Sequence, residues 1–495
     1  MKKATTCATS ARHKHLPIRS SLLDLVISRL FRSNAMGHPI IIFWKNLKSY
    51  LQTILALDAR SLGLLRIGLG LTSIYNLVIF IPKIEFFFGP LGVFPAWEHN
   101  PLTTFSIHAL NDNNIFVYSI FFIHLIFSAM LCVGYKTRLA TIICWLLTVS
   151  LFNRAPQIGF GGDEVLRALL LWGMFLPLGQ RFSVDRIRSN KPLLDDRVVS
   201  WAGAALIIQI IIIYLVNGFG KNEPVWNTDL TALYYIFNDT VAKAPAKFLL
   251  NFPDILITLT CLALYLERYA TLLLLLPSVT VFRTTAIVLF VIFHLCIDVT
   301  MKVGWFSWIM IIYWLALIPG GCWNRKAAVH AESKPCTNRA INFLCGSLLG
   351  VVVISNFFYM QNAELKGSWR NSPVFKIIHY AAIDQDLLKF TAASRARKTY
   401  TVMPVFDSSV MIDAQTLKRY TFNRAPYFRT GRIIHWRGSH DEKLRRYDYL
   451  KRYMVFYWND QFPEGPRVTD ATITVTTEQI LPFVNQRKKI HTEIF

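Results

Sequence analysis

Apolar runs long enough to cross a bilayer recur through the first 360 residues, and beyond them the pattern shifts to short alternating runs. A spanning helix needs roughly 17–25 predominantly apolar residues, fewer where it packs inside a bundle. Spans are therefore expected near Ser61 to Pro82, Ile115 to Val133, Leu139 to Phe152, Val165 to Gly179, Val199 to Val216, Thr284 to Thr300, Trp305 to Pro319 and Ile341 to Met360. Pro253 to Phe282 reads either as one long kinked span or as a short hairpin broken at Glu267 and Arg268, with Pro277 a kink site in both cases. Taken as one crossing, it brings the spans to about nine. Past Met360, KTYTVMPVF, SSVMIDAQ, KRYTFN and ATITVTT have the β-branched and aromatic content of short strands. Between them Ser439 can cap a helix from about Asp441 to Trp458, with Leu444, Tyr447, Leu450 and Met454 on one face. The expected fold class is mainly α: a polytopic transmembrane bundle over 61–360, preceded by a basic segment over 1–60 and followed by a C-terminal α+β extramembrane domain over 361–495.

Composition sharpens the class. With 53% hydrophobic, 14% aromatic and only 17% charged residues, the chain is too apolar for a soluble domain of 495 residues. The formal charge of +23 is unevenly spread: residues 1–60 hold ten Lys/Arg against two Asp/Glu, and residues 361–495 hold 22 against 13. A basic segment beside a first span is the positive-inside signal and a contact for anionic lipid, so it argues for membrane lipid as partner rather than nucleic acid. The loop with Arg181, Arg186, Arg188, Lys191 and Arg197 fits a second cytoplasmic loop, and nine crossings then put the carboxyl-terminal region outside. No cleavable signal peptide is expected, and Met36 is a candidate start. The eight cysteines form no CxxC pair and lie mostly in apolar runs, which is how buried thiols behave; Cys322 and Cys336 would sit on the cytoplasmic side, where pairing is disfavoured.

Polar residues inside the apolar runs are the candidate chemistry. Lys221 follows directly on the run from Val199, in NGFGKNEPVW. An ammonium beside hydrocarbon is costly, and desolvation favours the neutral amine, the form that acts as a base; snorkelling to the interface is the alternative. His294 and Asp298 are four residues apart on one helical face, with Lys302 a turn further. That spacing suits a carboxylate orienting a histidine for proton transfer, and equally two buried polar groups satisfying each other. Asp163 and Glu164 precede Arg167 by four and three residues, so the three can meet as an ion pair at one helix end. Arg66 and Arg283 either bind an anion or neutralise intramembrane carboxylates. His435, His440 and Asp441 lack a metal-ligand spacing, and no metal is implied. Walker A, GxGxxG after a strand, HExxH and GxSxG are all missing.

YLVNGFGKNEPVW resembles the tyrosine, glycine, lysine and tryptophan pattern around the basic lysine of the vitamin K-dependent γ-carboxylases, within the wider HTTM family of membrane proteins. DARSLGLLRIGLGL looks like that family's opening helix. GYKTRLATIICWLLTVSLFNRAP and GGDEVLRALLLWGMFLPLG are similar to its next two helices, and FHLCIDVTMKVGWF to a late one. The chain departs from the carboxylases in carrying Asp163 and Glu164 where their loop has a histidine, and in lacking their tryptophan-rich segment near Lys389 to Phe406.

The resemblance implies a membrane enzyme in which Lys221 deprotonates a reduced quinone of the vitamin K type. Oxygen and carbon dioxide would be co-substrates, and glutamate in a peptide or protein would be carboxylated. Lys221, His294 and Asp298 are then the expected catalytic residues, and Tyr214, Trp226 and Arg66 the expected cofactor-binding ones. An acidic segment of a peptide substrate would dock on the Arg424, Arg429, Arg432 and Arg437 cluster. The alternative within the family is a non-carboxylating protein that assists maturation or export of a secreted peptide. A transporter finds less support, because paired broken helices in two similar halves are not visible. The expected location is a bacterial cytoplasmic membrane with the amino terminus inside.

Overall fold

The computed structural model describes residues 37–90, 105–111, 113–155, 159, 161–190, 195–238, 241–323, 339–360, 396–406, 448, 451–452, 454–455, 458–459, 463–464, 467–480 and 487–494. Its principal helices are α1 (Gly37–Ile54), α2 (Ala59–Phe80), α3 (Asn114–Val133), α4 (Thr137–Arg154), α5 (Gly161–Gly173), α6 (Trp201–Gly220), α7 (Pro253–Tyr269), α8 (Val279–Thr300), α9 (Phe306–Leu315) and α10 (Arg339–Met360). The chain divides into two compact units, Met1–Thr53 and Ile54–Phe495.

Among the described residues five segments are long and apolar enough to cross a membrane: α2, α3, α6, α7 extended by the 3-10 turns to Leu275, and α8. A helix of 22 residues rises about 33 Å, close to the thickness of a hydrocarbon core. α3, α7 and α8 leave large apolar side chains such as Phe122, Leu262 and Ile292 exposed. That is the surface a lipid-facing helix presents. α6 is mostly buried at the centre, where Leu206, Ile207 and Ile210 meet Leu65 and Leu69 of α2, Leu170 of α5 and Trp314 of α9 in one apolar core. α4, α5 and α9 coincide with expected spans but are not among these five. With 13 and 10 residues, α5 and α9 are also shorter than a crossing.

The segment after Pro253 resolves against the hairpin at Glu267 and Arg268. α7 runs through both residues and the 3-10 turns carry it on to Leu275. The chain turns later, with Pro277 before Ser278 in the left-handed region at φ 58°, and α8 begins at Val279. Proline cannot extend the preceding turn, which places the break here rather than at the charged pair.

Polar groups collect at one end of the bundle. Asp58 caps α2 and pairs with Arg60 at 2.8 Å, and Asp196 pairs with Arg181 at 2.5 Å. A two-residue antiparallel ladder matches Leu57 with Val198 and Asp58 with Arg197. Asp185 accepts the amides of Lys136 and Thr137 and the Thr137 hydroxyl at 2.7–2.8 Å. Partial burial pulls the Asp185 carboxyl up, but those donors outweigh it and hold the group below the usual carboxylate range.

Three antiparallel strands lie near the carboxyl terminus, Ala396–Phe406, Val468–Ile480 and Arg487–Ile494, with Val468–Ile480 in the centre. They include KTYTVMPVF and ATITVTT. SSVMIDAQ, KRYTFN, the Ser439 cap, His435, His440, Asp441, Cys336 and the four-arginine cluster lie outside the described residues.

Candidate functional site

Lys221 sits at the carboxyl end of α6, where four backbone carbonyls lack intrahelical partners. Arg268 of α7 supplies some of the missing donors, from Nε to the Gly218 carbonyl at 2.9 Å and from a terminal nitrogen to the Lys221 carbonyl at 3.2 Å. Asn227 donates to the Lys221 carbonyl at 2.8 Å and accepts from Arg268 at 2.7 Å. This close approach of α6 and α7 depends on Gly218. A Cβ there would lie 2.9 Å from the Arg268 backbone nitrogen and 3.1 Å from the Glu267 carbonyl carbon.

The Lys221 side chain turns inward rather than snorkelling, and the residue is only 3% exposed. Its Nζ pairs with the Glu267 carboxylate and lies 4.6 Å from the centre of the Trp226 ring. The ion pair and the ring face together compensate a buried ammonium. Trp226 is held by an apolar cluster with Val225, Tyr234, Tyr235 and Phe237 from the short helices between α6 and α7, and Met301 at the end of α8. Its indole Nε1 is buried without a hydrogen-bond partner.

Tyr214 and Gly218 lie seven and three residues before Lys221, on the same side of α6. The Tyr214 hydroxyl is 2.6 Å from His294 Nε2 and accepts from the Trp314 indole at 3.0 Å. Trp314 can only donate, so the phenol keeps its proton for Nε2 in the tautomer that carries the imidazole proton on Nδ1. That Nδ1 is buried and unpartnered. Phe290 stacks on Trp314 at 4.4 Å and packs on Tyr214 at 4.2 Å, so aromatic rings wall the triad.

Of the residues singled out in the sequence, Lys221 meets Trp226, and Tyr214 meets His294. Asp298 joins neither pair. Its backbone carbonyl accepts from Lys243, and His294 Nδ1 remains without a partner one turn away, so the expected His294–Asp298 pair does not form. His294 is buried against Tyr214, whereas Asp298 lies on the partly exposed side of the last turn of α8. Arg66 is also elsewhere: it donates to the carbonyls of Leu131, Cys132 and Phe182, closing the carboxyl end of α3. Arg283 likewise donates to the Ala56 and Ile54 carbonyls. Among the described residues neither arginine forms a direct ion pair with a carboxylate, although the Arg66 charge helps to hold the Asp185 carboxyl low; a guanidinium fork serves helix-end carbonyls as well.

A second polar cluster lies at the junction of α4 and α5. His108 Nδ1 is 2.7 Å from Ser150 Oγ, His124 Nε2 is 3.3 Å from Thr148 Oγ1, and Arg154 donates to the His108 and Phe88 carbonyls. Burial first, then His124 and Arg154, hold the His108 imidazole well below its ordinary pKa. Asp163 accepts from Asn76 at 3.3 Å. No ion pair joins Arg167 to Asp163 or Glu164 among the described residues, which corrects the expected helix-end pairing. Glu267, Trp314 and Asn76 are the partners that sequence reasoning missed. Only Glu267 carried a signal, as a carboxylate within an apolar run.

A helical bundle with five apolar spans and charged pairs buried inside it defines an integral membrane protein. The chain belongs to the HTTM family, whose HTTM domain pattern matches residues 56–319. No curated protein and no solved structure matches the chain.

Proposed function

We propose that this HTTM protein is a membrane enzyme of the γ-carboxylase type, in which Lys221 acts as the base and Glu267 is its proton partner. The observation that carries the reading is the buried Lys221, paired with Glu267 and seated on Trp226. An amine can take a proton only when its own proton is elsewhere, and Glu267 is the carboxylate in contact with it. The donor set suits an oxygen-bearing ring, because Trp226 Nε1 is a buried N–H with no acceptor and His294 Nδ1 is another in the tautomer that takes the Tyr214 proton on Nε2. When bound, a reduced quinone would supply, with oxygen, the strong base needed to abstract a glutamate proton for attack on carbon dioxide. Tyr214 would orient His294, and the aromatic walls would exclude water.

The reading extends to a bacterial cytoplasmic membrane, an amino terminus inside, nine crossings and an α+β domain outside. An acidic peptide segment would dock there on Arg424, Arg429, Arg432 and Arg437. Asp163 and Glu164, in place of a histidine, favour the second reading, a protein that assists maturation or export of a secreted peptide without carboxylating it. Mass spectra of peptides from cells with and without the protein separate the two. Carboxylation adds one carboxyl group per modified glutamate, whereas maturation shifts a cleavage site. The proposed enzyme is expected to produce the added carboxyl group. A cleavage difference with no added carboxyl group would overturn it in favour of the second reading.

A further inference from the structure

Two adjacent residues of α7 hold Lys221 in different ways. Glu267 takes its side chain, and Arg268 takes the backbone around it. Successive residues of a helix point about 100° apart, so one can reach inward while the other lies along the rim. Glu267 is accordingly buried and Arg268 half-buried.

At Lys221 the backbone leaves the helical region, with φ −84° and ψ 68°. Its carbonyl accepts from Asn227 Nδ2 at 2.8 Å and from a terminal nitrogen of Arg268 at 3.2 Å. The same Arg268 nitrogen donates to Asn227 Oδ1 at 2.7 Å, and Arg268 Nε donates to the Gly218 carbonyl at 2.9 Å. Asn227 closes the short helix Pro224–Asn227, which also carries Trp226. One guanidinium therefore ties the end of α6 to α7 and to the turn that presents the Trp226 ring. The Phe219 ring, its centre 5.5 Å from the guanidinium carbon, lies against it.

That tie bears on where the lysine goes. A lysine at a helix end beside water ordinarily extends its flexible stem and keeps the ammonium solvated. A buried pair with a carboxylate is favourable only when the geometry is good, and helix ends are the first parts of a fold to open. We propose that Arg268 is the positioning residue of this site: its fork fixes the Lys221 backbone so that the ammonium stays turned in on Glu267 and Trp226. The fork is required, not the charge alone. A lysine at 268 would keep the charge but cannot span the Gly218 and Lys221 carbonyls and the Asn227 amide from one geometry. The consequence for turnover rests on Lys221 acting as the base, whereas the consequence for its placement does not.

The test is acylation of the purified full-length protein in detergent by a water-soluble succinimidyl acetate ester. Initial rates at each lysine are read by peptide mass spectrometry and referred to Lys247 and Lys302, which are exposed. In the wild type Lys221 is expected to react far more slowly than either. Arg268→Gln and Arg268→Lys should each raise the Lys221 rate by roughly tenfold, the effect of losing about one charge-assisted hydrogen bond, with the reference lysines unchanged. If the glutamine variant does not fold, the lysine variant carries the test. In quinol-dependent carboxylation the same variants should lower kcat and leave KM for the quinol unchanged. A wild type that does not carboxylate would defeat the enzymatic reading alone, since the acylation rates decide the role of Arg268 without it. A wild-type Lys221 as reactive as Lys247, or a Lys221 rate unmoved by Arg268→Lys, would overturn the proposal.

Discussion

Glu267→Gln is expected to destabilise the folded protein by about 3–5 kcal/mol, because it leaves the Lys221 ammonium buried with its charge uncompensated. The size of the effect follows from the surroundings. The side chains of Lys221 and Glu267 are 4% and 11% exposed, so water cannot take over the role of the lost carboxylate. Trp226 retains its ring contact but contributes only about 1–2 kcal/mol to a desolvated cation. Removing both charges should undo most of the damage. Lys221→Met combined with Glu267→Gln is expected to be more stable than Glu267→Gln alone, and a double-mutant cycle in chemical unfolding would measure the coupling. Additive losses from the two substitutions would mean that the two side chains do not act as a pair.

The second large effect is expected at Arg66. Its guanidinium donates to three carbonyls, of Leu131, Cys132 and Phe182, and so holds the end of α3 against α2 and the loop before α4's partner Asp185. Arg66→Leu fills the volume but leaves those acceptors short of donors. Hydrogen bonds from charged groups contribute roughly 1.5–3 kcal/mol each, so the loss should exceed about 3 kcal/mol. Arg66→Lys should recover only part of it, since an ammonium cannot reproduce the fork that reaches both Leu131 and Phe182. If Arg66 instead held an anionic ligand, as its position in the sequence allows, Arg66→Lys would keep full stability and weaken ligand binding alone. Unfolding midpoints of the two variants distinguish these outcomes.

The membrane-spanning segments were legible because a bilayer imposes one strong rule on sequence, a long apolar run, and α2, α3, α6 and α8 obey it closely. Where a helix hides inside the bundle that rule relaxes. α5 and α9 are apolar like the other expected spans, yet with 13 and 10 residues they are shorter than a crossing. The Lys221, Trp226 and Tyr214 group was visible because it lies on one stretch of chain. Its completion was not, since Glu267 lies 46 residues away in sequence and reaches Lys221 only because Gly218 admits the α7 backbone. The i,i+4 spacing of His294 and Asp298 misled for the opposite reason. Proximity along a helix permits a pair, but His294 found a better-placed hydroxyl on α6. Asp163 and Arg167 share a spacing that permits a pair as well, but Asp163 accepts from Asn76 and Arg167 does not pair with it.

Quinol-dependent incorporation of labelled carbon dioxide into a glutamate peptide, compared between wild type and Lys221→Ala, tests most directly whether Lys221 is the base. A positioned general base contributes roughly 10²–10⁴-fold. The alanine variant should lose activity on that scale while still folding, Lys221→Arg should not restore it, and a small exogenous amine should restore part of it. Incorporation by Lys221→Ala at the wild-type rate would contradict the assignment of Lys221 and, with it, the enzymatic reading of the site.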